Sequence, residues 1–183
     1  MSKMSKKEKD GGLKYVTGLL IVTALRLVPR IPNMEPIMAT AMPFSKGYGW
    51  IRGAGFAMLA IVLYDIVTRT AGTWTLITAM TYALVTAAAY LYLRNKPNTI
   101  KSYVKYAIFG TIFYDVVTGI GMGYFLFKMP LIVVITGQIP FTLMHLASSM
   151  LTAAASPSIY KWVVANPELT FENVIQRFVS LTK

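Results

Sequence analysis

Five long apolar stretches constrain the fold of this chain more than any other feature of its sequence. They lie at residues 13–28, 51–67, 74–93, 103–127 and 130–155. Each approaches or exceeds the roughly 17–25 residues with which a helix crosses a bilayer. None shows the period-two alternation that a membrane β-barrel requires. The sequence therefore predicts an all-α protein with several membrane-spanning helices.

Composition supports this fold class and excludes some kinds of chemistry. The chain is 55% hydrophobic, carries a formal net charge of +11 and contains no cysteine. The absence of cysteine excludes disulfides, thiolate catalysis and Cys-ligated metals. The basic charge fits the excess of Lys and Arg in the cytoplasmic loops of membrane proteins better than it fits nucleic-acid binding. Residues 1–12 are polar and basic, and no small-residue cleavage site follows the first apolar stretch, so we expect a retained helix.

The number of spans depends on residues 34–44, an apolar segment too short for an ordinary span. If this segment crosses, the basic residues divide 14 on the cytoplasmic side against 4 outside; if it does not, the division is 7 against 11. The positive-inside rule favours the first arrangement. We therefore predict six spans with a short, irregular second helix and both termini in the cytoplasm. The predicted spans are 13–29, 34–45, 50–68, 74–93, 102–121 and 130–155.

Three regions follow from this topology. Residues 1–12 form a basic cytoplasmic segment, residues 13–156 the six-helix substrate-binding domain, and residues 157–183 a cytoplasmic tail. The tail carries apolar residues at helical spacing, at Phe171, Val174, Ile175, Phe178 and Val179. This pattern predicts a short amphipathic helix that packs on the protein itself, on the bilayer surface or on a partner subunit.

An internal repeat joins two of the predicted spans. Residues 64–68 read YDIVT and residues 114–118 read YDVVT, and the similarity extends on both sides at a constant offset of 50 residues. A period of 50 residues corresponds to a two-helix unit, so the third and fifth spans should run parallel. Repeats of this kind often frame a binding site in membrane transporters.

Charged residues inside the apolar stretches should share one layer of the membrane. With a rise of about 1.5 Å per residue, Arg26, Asp65 and Asp115 all lie roughly 15–20 Å above the cytoplasmic boundary. Such charges cost at least a few kcal/mol unless they are paired or hydrated. In one interpretation, Arg26 or Arg69 forms a structural ion pair with Asp65.

In the other interpretation, the aspartates line a ligand pocket that is open to the outside. Tyr64 and Tyr114, which precede the two aspartates, would add ring faces and hydroxyl groups to this pocket. Further candidates for the pocket are Asn33, Glu35, Trp74, Thr75, Gln138 and His145. Gln138 and His145 lie on one face of the last span, although a single intramembrane histidine is more often a packing residue.

The sequence contains no recognisable catalytic or metal-binding motif. His145 is the only histidine, and no glycine-rich phosphate loop is followed by Lys and Ser or Thr. We therefore expect no enzymatic activity, no metal and no cofactor.

Three segments carry a resemblance to a known family. PNMEP at 32–36, GTWT at 72–75 and GQIPFTLMHLASS at 137–149, together with the predicted six spans, resemble the substrate-binding S components of energy-coupling factor (ECF) transporters. The resemblance covers about residues 13–160 and implies a six-helix fold in a prokaryotic cell membrane. It also implies that Asn33, Glu35, Trp74, Thr75, Gln138 and His145 bind substrate.

By this resemblance the protein would capture a vitamin or related micronutrient from outside. It would then deliver the ligand to a transmembrane coupling protein and two cytoplasmic ATPase subunits. Two other functions remain open from the residues alone. One is a self-sufficient proton- or cation-coupled transporter that uses Asp65 and Asp115, and the other is a structural or assembly protein without a ligand.

Overall fold

The computed structural model describes the backbone of residues 6–28 and 35–164 and the side chains of residues 12–28 and 35–164. This part of the chain is helical and contains no strand, which confirms the prediction of an all-α fold. Asn33 and the predicted tail helix lie outside it. The elements are α1 (Lys6–Leu27), α2 (Ile37–Tyr48), α3 (Trp50–Val67), α4 (Thr73–Leu93), α5 (Ile100–Asp115), a π-helical segment that continues α5 (Val116–Leu126), α6 (Leu131–Ala153) and α7 (Ser156–Val164).

Four helical stretches are long and apolar enough to cross a membrane, which indicates a membrane protein. They are α3, α4, α5 together with the π-helical segment, and α6. Their bounds agree within a few residues with the last four predicted spans. The largest difference is at the end of the π-helical segment, which continues to Leu126 instead of ending at residue 121.

α2 is short but lies at the centre of the packing. It contacts α1, α3, α4, α5, α6 and α7, and every residue from Ile37 to Ser45 is buried. Gly53 of α3 lies against Ser45, where a side chain at residue 53 would collide with the α2 backbone. The Ser45 hydroxyl donates a 2.8 Å hydrogen bond to the Thr86 carbonyl of α4. Small residues thus allow α2 to lie close to two neighbouring helices.

Several helices are joined by hydrogen bonds at one end of the bundle. We call it the basic end because Lys14 and Lys46 lie there. Lys14 Nζ of α1 and Tyr48 Oη of α2 both donate to the Val163 carbonyl of α7, each at 3.1 Å. Lys46 Nζ donates to the Lys96 carbonyl, just after α4, at 2.8 Å. α1 and α2 therefore run antiparallel, and the start of α1 and the end of α2 lie at the same end.

α2 fills only the half of the bundle nearest the basic end. Its start lies beside the last two turns of α6, where the Glu35 N–H donates to Ser148 Oγ at 3.2 Å. Ser148 lies 17 residues after Leu131, which corresponds to about 25 Å along the helix. From there α2 runs alongside α7, where Ser156 Oγ donates to the Ala39 carbonyl at 2.9 Å. The first half of α6 is accordingly exposed over most of its surface.

α7 extends the packed region beyond the predicted boundary at residue 156. Its residues Ile159 and Trp162 pack on the core, and Val163 is buried. The sequence predicts a cytoplasmic tail for residues 157–183. In the structure α7 packs against α2, because its apolar residues fall on one face.

The 50-residue repeat is visible in the burial pattern. All six buried residues of α3 have buried counterparts in α5 at the same offset. They are Gly53, Phe56, Ala57, Ala60, Ile61 and Asp65 in α3, and Tyr103, Tyr106, Ala107, Gly110, Thr111 and Asp115 in α5. α4 connects the two units and lies antiparallel to both, so α3 and α5 are parallel, as predicted.

Candidate functional site

A layer of polar and aromatic side chains lies where α2 begins, and Arg26 near the end of α1 is its cation. Arg26 is only 8% exposed. Its guanidinium lies 4.0 Å from the centroid of the Tyr64 ring, and Nη1 donates a 3.1 Å hydrogen bond to the Ala60 carbonyl. Arg26 Nε is 3.4 Å from Glu35 Oε2. The cation is thus stabilised by an aromatic face, a carbonyl and a carboxylate.

Glu35 connects this cation to the start of α2 and to α6. Its Oε1 accepts a 3.2 Å hydrogen bond from the Ile37 N–H, an otherwise unpaired donor of the first helical turn. The negative charge is also favourable at a helix N-terminus. Because its own N–H binds Ser148, Glu35 fixes α2 at a defined height against α6.

Asp115 and His145 form the most deeply buried titratable pair among the described residues. Asp115 Oδ1 and His145 Nδ1 are 2.7 Å apart, and the two residues are 1% and 3% exposed. When the carboxylate is ionised it only accepts hydrogen bonds, so Nδ1 carries the proton and donates it. The rings of Tyr114 and Phe141 meet the imidazole at steep angles and hold its orientation.

An aromatic wall extends from this pair towards α4. The Tyr114 ring lies 5.8 Å from the His145 ring and 4.3 Å from the Tyr82 ring, centroid to centroid. Tyr82 is 1% exposed. The wall therefore joins α4, α5 and α6 in the interior of the bundle.

Four buried polar atoms around this wall have no hydrogen-bond partner among the described residues. They are Tyr82 Oη, Asp115 Oδ2, His145 Nε2 and Ser149 Oγ. A buried polar group without a partner costs about 1–3 kcal/mol, so such groups are uncommon in folded proteins. We call Tyr82, Tyr114, Asp115, His145 and Ser149 the polar centre. It offers donors, acceptors and ring faces for a ligand or for ordered water.

Asp65, the counterpart of Asp115, is bound differently. Its Oδ2 accepts a 2.5 Å hydrogen bond from Thr75 Oγ1, in the first turn of α4. Neither expected arginine pairs with it among the described residues. Arg26 pairs with Glu35 instead, because the start of α2 reaches the end of α1. Arg69 is exposed and has a positive φ of 57°, because the chain turns sharply after α3.

The other predicted site residues are distributed around this layer. Trp74 is exposed and folds over Gly72. Gln138 donates to Thr142 Oγ1 at 3.1 Å and packs against Gly119 of the π-helical segment. The structure thus brings Glu35, Tyr64, Tyr114, Asp115 and His145 into one layer. Trp74 and Thr75 lie in the first turn of α4.

Three contributors to the layer are absent from the predicted set of site residues. Tyr82 lies within the apolar stretch TYALVT, where nothing marks it as functional. Ser148 and Ser149 follow His145 on α6 by three and four residues, and this spacing of about one turn was the only available signal. No group of three or more His, Cys, Asp or Glu residues that could hold a metal occurs among the described residues.

Comparisons with known proteins identify no relative: no family model, no curated protein and no solved structure matches the chain.

Proposed function

We propose that the protein binds a small molecule at the polar centre and is the substrate-binding membrane subunit of an ECF-type uptake system for a vitamin or related micronutrient. The observation that carries this proposal is that four buried polar atoms on α4, α5 and α6 have no hydrogen-bond partner among the described residues. A layer that served only to hold helices together would leave fewer such atoms, since each one lowers stability.

The chemistry of the polar centre favours a ligand with both a ring and polar groups. Tyr82 and Tyr114 supply aromatic surfaces, and the free atoms of Asp115, His145 and Ser149 supply acceptors and a donor or acceptor. Binding sites for small molecules typically combine apolar walls with a few polar groups in this way. Identification of the ligand as a vitamin depends on the family resemblance.

The proposed topology has six spans with both termini in the cytoplasm. In this arrangement α1 and α2 are the first two spans, and the basic end of the bundle faces the cytoplasm. Two observations support it: Lys14 and Lys46 lie at the same end of the bundle, and the basic residues then divide 14 against 4. The membrane would be the cell membrane of a prokaryote.

The proposed partners are a transmembrane coupling protein and two ATPase subunits. They rest on the resemblance of PNMEP, GTWT and GQIPFTLMHLASS to the S components. The sequence has no nucleotide-binding motif of its own, so ATP-driven delivery would need these subunits. The proposal includes no enzymatic activity for this chain.

Native mass spectrometry of the full-length protein purified from its host in mild detergent tests the proposal directly. We expect a bound small molecule together with ATPase and coupling subunits. Protein that carries no small molecule, and that a panel of vitamins does not stabilise thermally, would contradict ligand binding and favour a structural role. Ligand bound in the absence of the subunits would contradict the ECF assignment but not ligand binding.

Removal of single unpartnered groups gives a second test. We expect Tyr82→Phe and Ser149→Ala to leave the ligand-free protein equally stable or more stable, since each deletes a buried group without a partner. Each should weaken binding of the copurified ligand by roughly 5–10-fold, the effect of about 1 kcal/mol. Thermal unfolding and equilibrium binding measure the two effects. A loss of stability without a loss of binding would contradict the proposed site.

A second candidate function is a self-sufficient proton-coupled transporter. The observation that favours it is the buried Asp115–His145 pair, since intramembrane carboxylate and histidine residues form proton relays in transporters. In liposomes that contain this chain alone, uptake driven by a proton gradient without ATP would support it. Uptake that requires the ATPase subunits would exclude it.

A further inference from the structure

A cleft opens on the surface of the bundle between α5 and α6 and leads towards the polar centre. Its volume is about 240 Å³. Its walls consist of apolar side chains that are exposed or partly exposed: Ile112, Val116, Ile120, Ile135, Ile139 and Leu143. Since α5 and α6 are both apolar enough to span a membrane, this cleft faces the acyl chains of the bilayer.

Three polar residues lie among the apolar ones that line the cleft. Asp115, Gln138 and Thr142 line it, and Gln138 and Thr142 are hydrogen-bonded to each other. Asp115 is 1% exposed and uses Oδ1 for His145, whereas its Oδ2 has no partner among the described residues. The wall of this apolar cleft thus includes a buried aspartate that has one oxygen without a donor.

We propose that this cleft binds a small amphipathic amine, with its apolar body between α5 and α6 and its ammonium group on Asp115 Oδ2. The proposal rests on the proposed ligand-binding function and specifies the class of ligand. An ammonium group supplies the missing donor and offsets the negative charge, which makes the hydrogen bond stronger than one from a neutral donor. The ligand would reach the site laterally from the bilayer.

The depth of Asp115 favours a small free amphiphile over a membrane lipid. Asp115 lies 15 residues after Ile100, or about 22 Å from the start of α5, and the 11-residue π-helical segment follows it. The headgroup amine of a phospholipid remains in the interfacial region, outside the roughly 30 Å hydrocarbon core. A molecule without an anchored headgroup can place its amine at this depth.

The test compares three probes with the same apolar body, n-octylamine, n-octanol and octanoate, on full-length protein in nanodiscs, with empty nanodiscs as the background. Calorimetry or thermal shift measures binding. We expect n-octylamine to bind at least tenfold more tightly than octanoate. Equal binding of the three probes would overturn the proposal, as would competition of phosphatidylethanolamine for the same site, since that result would make the cleft a lipid site.

Two surface variants locate the binding. Ile139 is 57% exposed and lines the cleft, whereas Leu151 is 70% exposed on α6 and does not. We expect Ile139→Trp to fill the cleft and weaken n-octylamine binding at least tenfold, and Leu151→Trp to change it less than twofold. Equal effects of the two variants would overturn the proposal. Both residues are exposed, so neither change should prevent folding.

The charge of Asp115 and the proposed function are tested separately. We expect Asp115→Asn to reduce the affinity for n-octylamine to within twofold of that for n-octanol, and an undiminished preference for the amine would overturn the proposal. If Ile139→Trp abolishes n-octylamine binding but a copurified ligand still binds, the cleft and the native site are distinct, and only the lateral-binding inference fails. If n-octylamine binds as expected but no native ligand copurifies, the proposed function fails and the inference that the cleft binds an amine stands.

Discussion

The two copies of the repeat contain the same residue types but place their aspartates in different contacts. Both bury their aspartate on the face that points into the bundle, and in both a threonine donates to the tyrosine carbonyl one turn earlier, at 2.8 Å. Asp65, however, binds Thr75 ten residues later, whereas Asp115 binds His145 thirty residues later. The local sequence determines which face is buried, and the following chain determines what the aspartate meets.

The divergence begins at one position of the repeat. Arg69 in the first copy corresponds to Gly119 in the second. Arg69 adopts a left-handed conformation and the chain turns at once into α4. Gly119 continues the helix, and its missing side chain leaves room for Gln138 of α6. The first copy is therefore a tight hairpin whose carboxylate is satisfied locally, and the second reaches the polar centre.

The largest expected effect is on stability, at Gly53. This residue corresponds to Tyr103, and a methyl group there would overlap the backbone of Ser45. We expect Gly53→Ala to lower the free energy of unfolding in detergent by about 2–3 kcal/mol, because α2 must move away from α3. The matched control is Gly55→Ala, whose methyl group would meet only the Tyr15 hydroxyl at 3.2 Å. Similar losses for both variants would contradict the close approach of α2.

The two aspartates should differ in their effect on binding. We expect Asp115→Asn to weaken binding of the copurified ligand by roughly 10–100-fold, the effect of losing a charged hydrogen bond of about 1.5–3 kcal/mol. Thermal stability should change much less, since asparagine still offers His145 an oxygen acceptor. Asp65→Asn should weaken binding by less than about threefold. Equal losses in a binding titration would show that the two copies share one role.

The glycine at the point of divergence gives a smaller effect. We expect Gly119→Ala to cost about 0.5–1 kcal/mol, because the methyl group would displace the flexible end of the Gln138 side chain and its hydrogen bond to Thr142. Gly121→Ala serves as the control, since its nearest contact would be the Val116 carbonyl at an ordinary 3.6 Å. Chemical unfolding of both variants measures the difference. If Gly119→Ala is as stable as the control, close packing of α6 does not explain the divergence.

The smallest effect concerns the corresponding residue of the first copy. Arg69→Gly removes a left-handed non-glycine residue, so we expect a net gain of about 0.5 kcal/mol after the added entropy of the unfolded chain. Arg94→Gly should instead cost about 1 kcal/mol, because Arg94 has an ordinary helical φ of −53°. Thermal unfolding compares the two variants. A loss at both positions would show that Arg69 contributes contacts that outweigh its strain.

The sequence predicted the helices well and the partners of the charges poorly. The last four spans follow from apolar stretches that only a helix can bury in a membrane. His145 and Asp115 were both candidates, but their pairing across 30 residues depends on how far the chain travels before it returns. The partner of Arg26 depends on the height at which α2 begins. The contribution of Tyr82 to the polar centre depends on which face of α4 meets Tyr114. These contacts are properties of the packed bundle, and they cannot be predicted from the periodicity of one helix.

The contact between Lys14 and Val163 has a consequence for the order in which the protein is made. The Val163 carbonyl accepts hydrogen bonds from the buried Lys14 ammonium and from the Tyr48 hydroxyl. It is synthesised 149 residues after Lys14 and 115 residues after Tyr48. Contacts that span so much of the chain form late and slow folding. The first helices are therefore synthesised before their final neighbour exists, and the bundle closes only when α7 has left the ribosome.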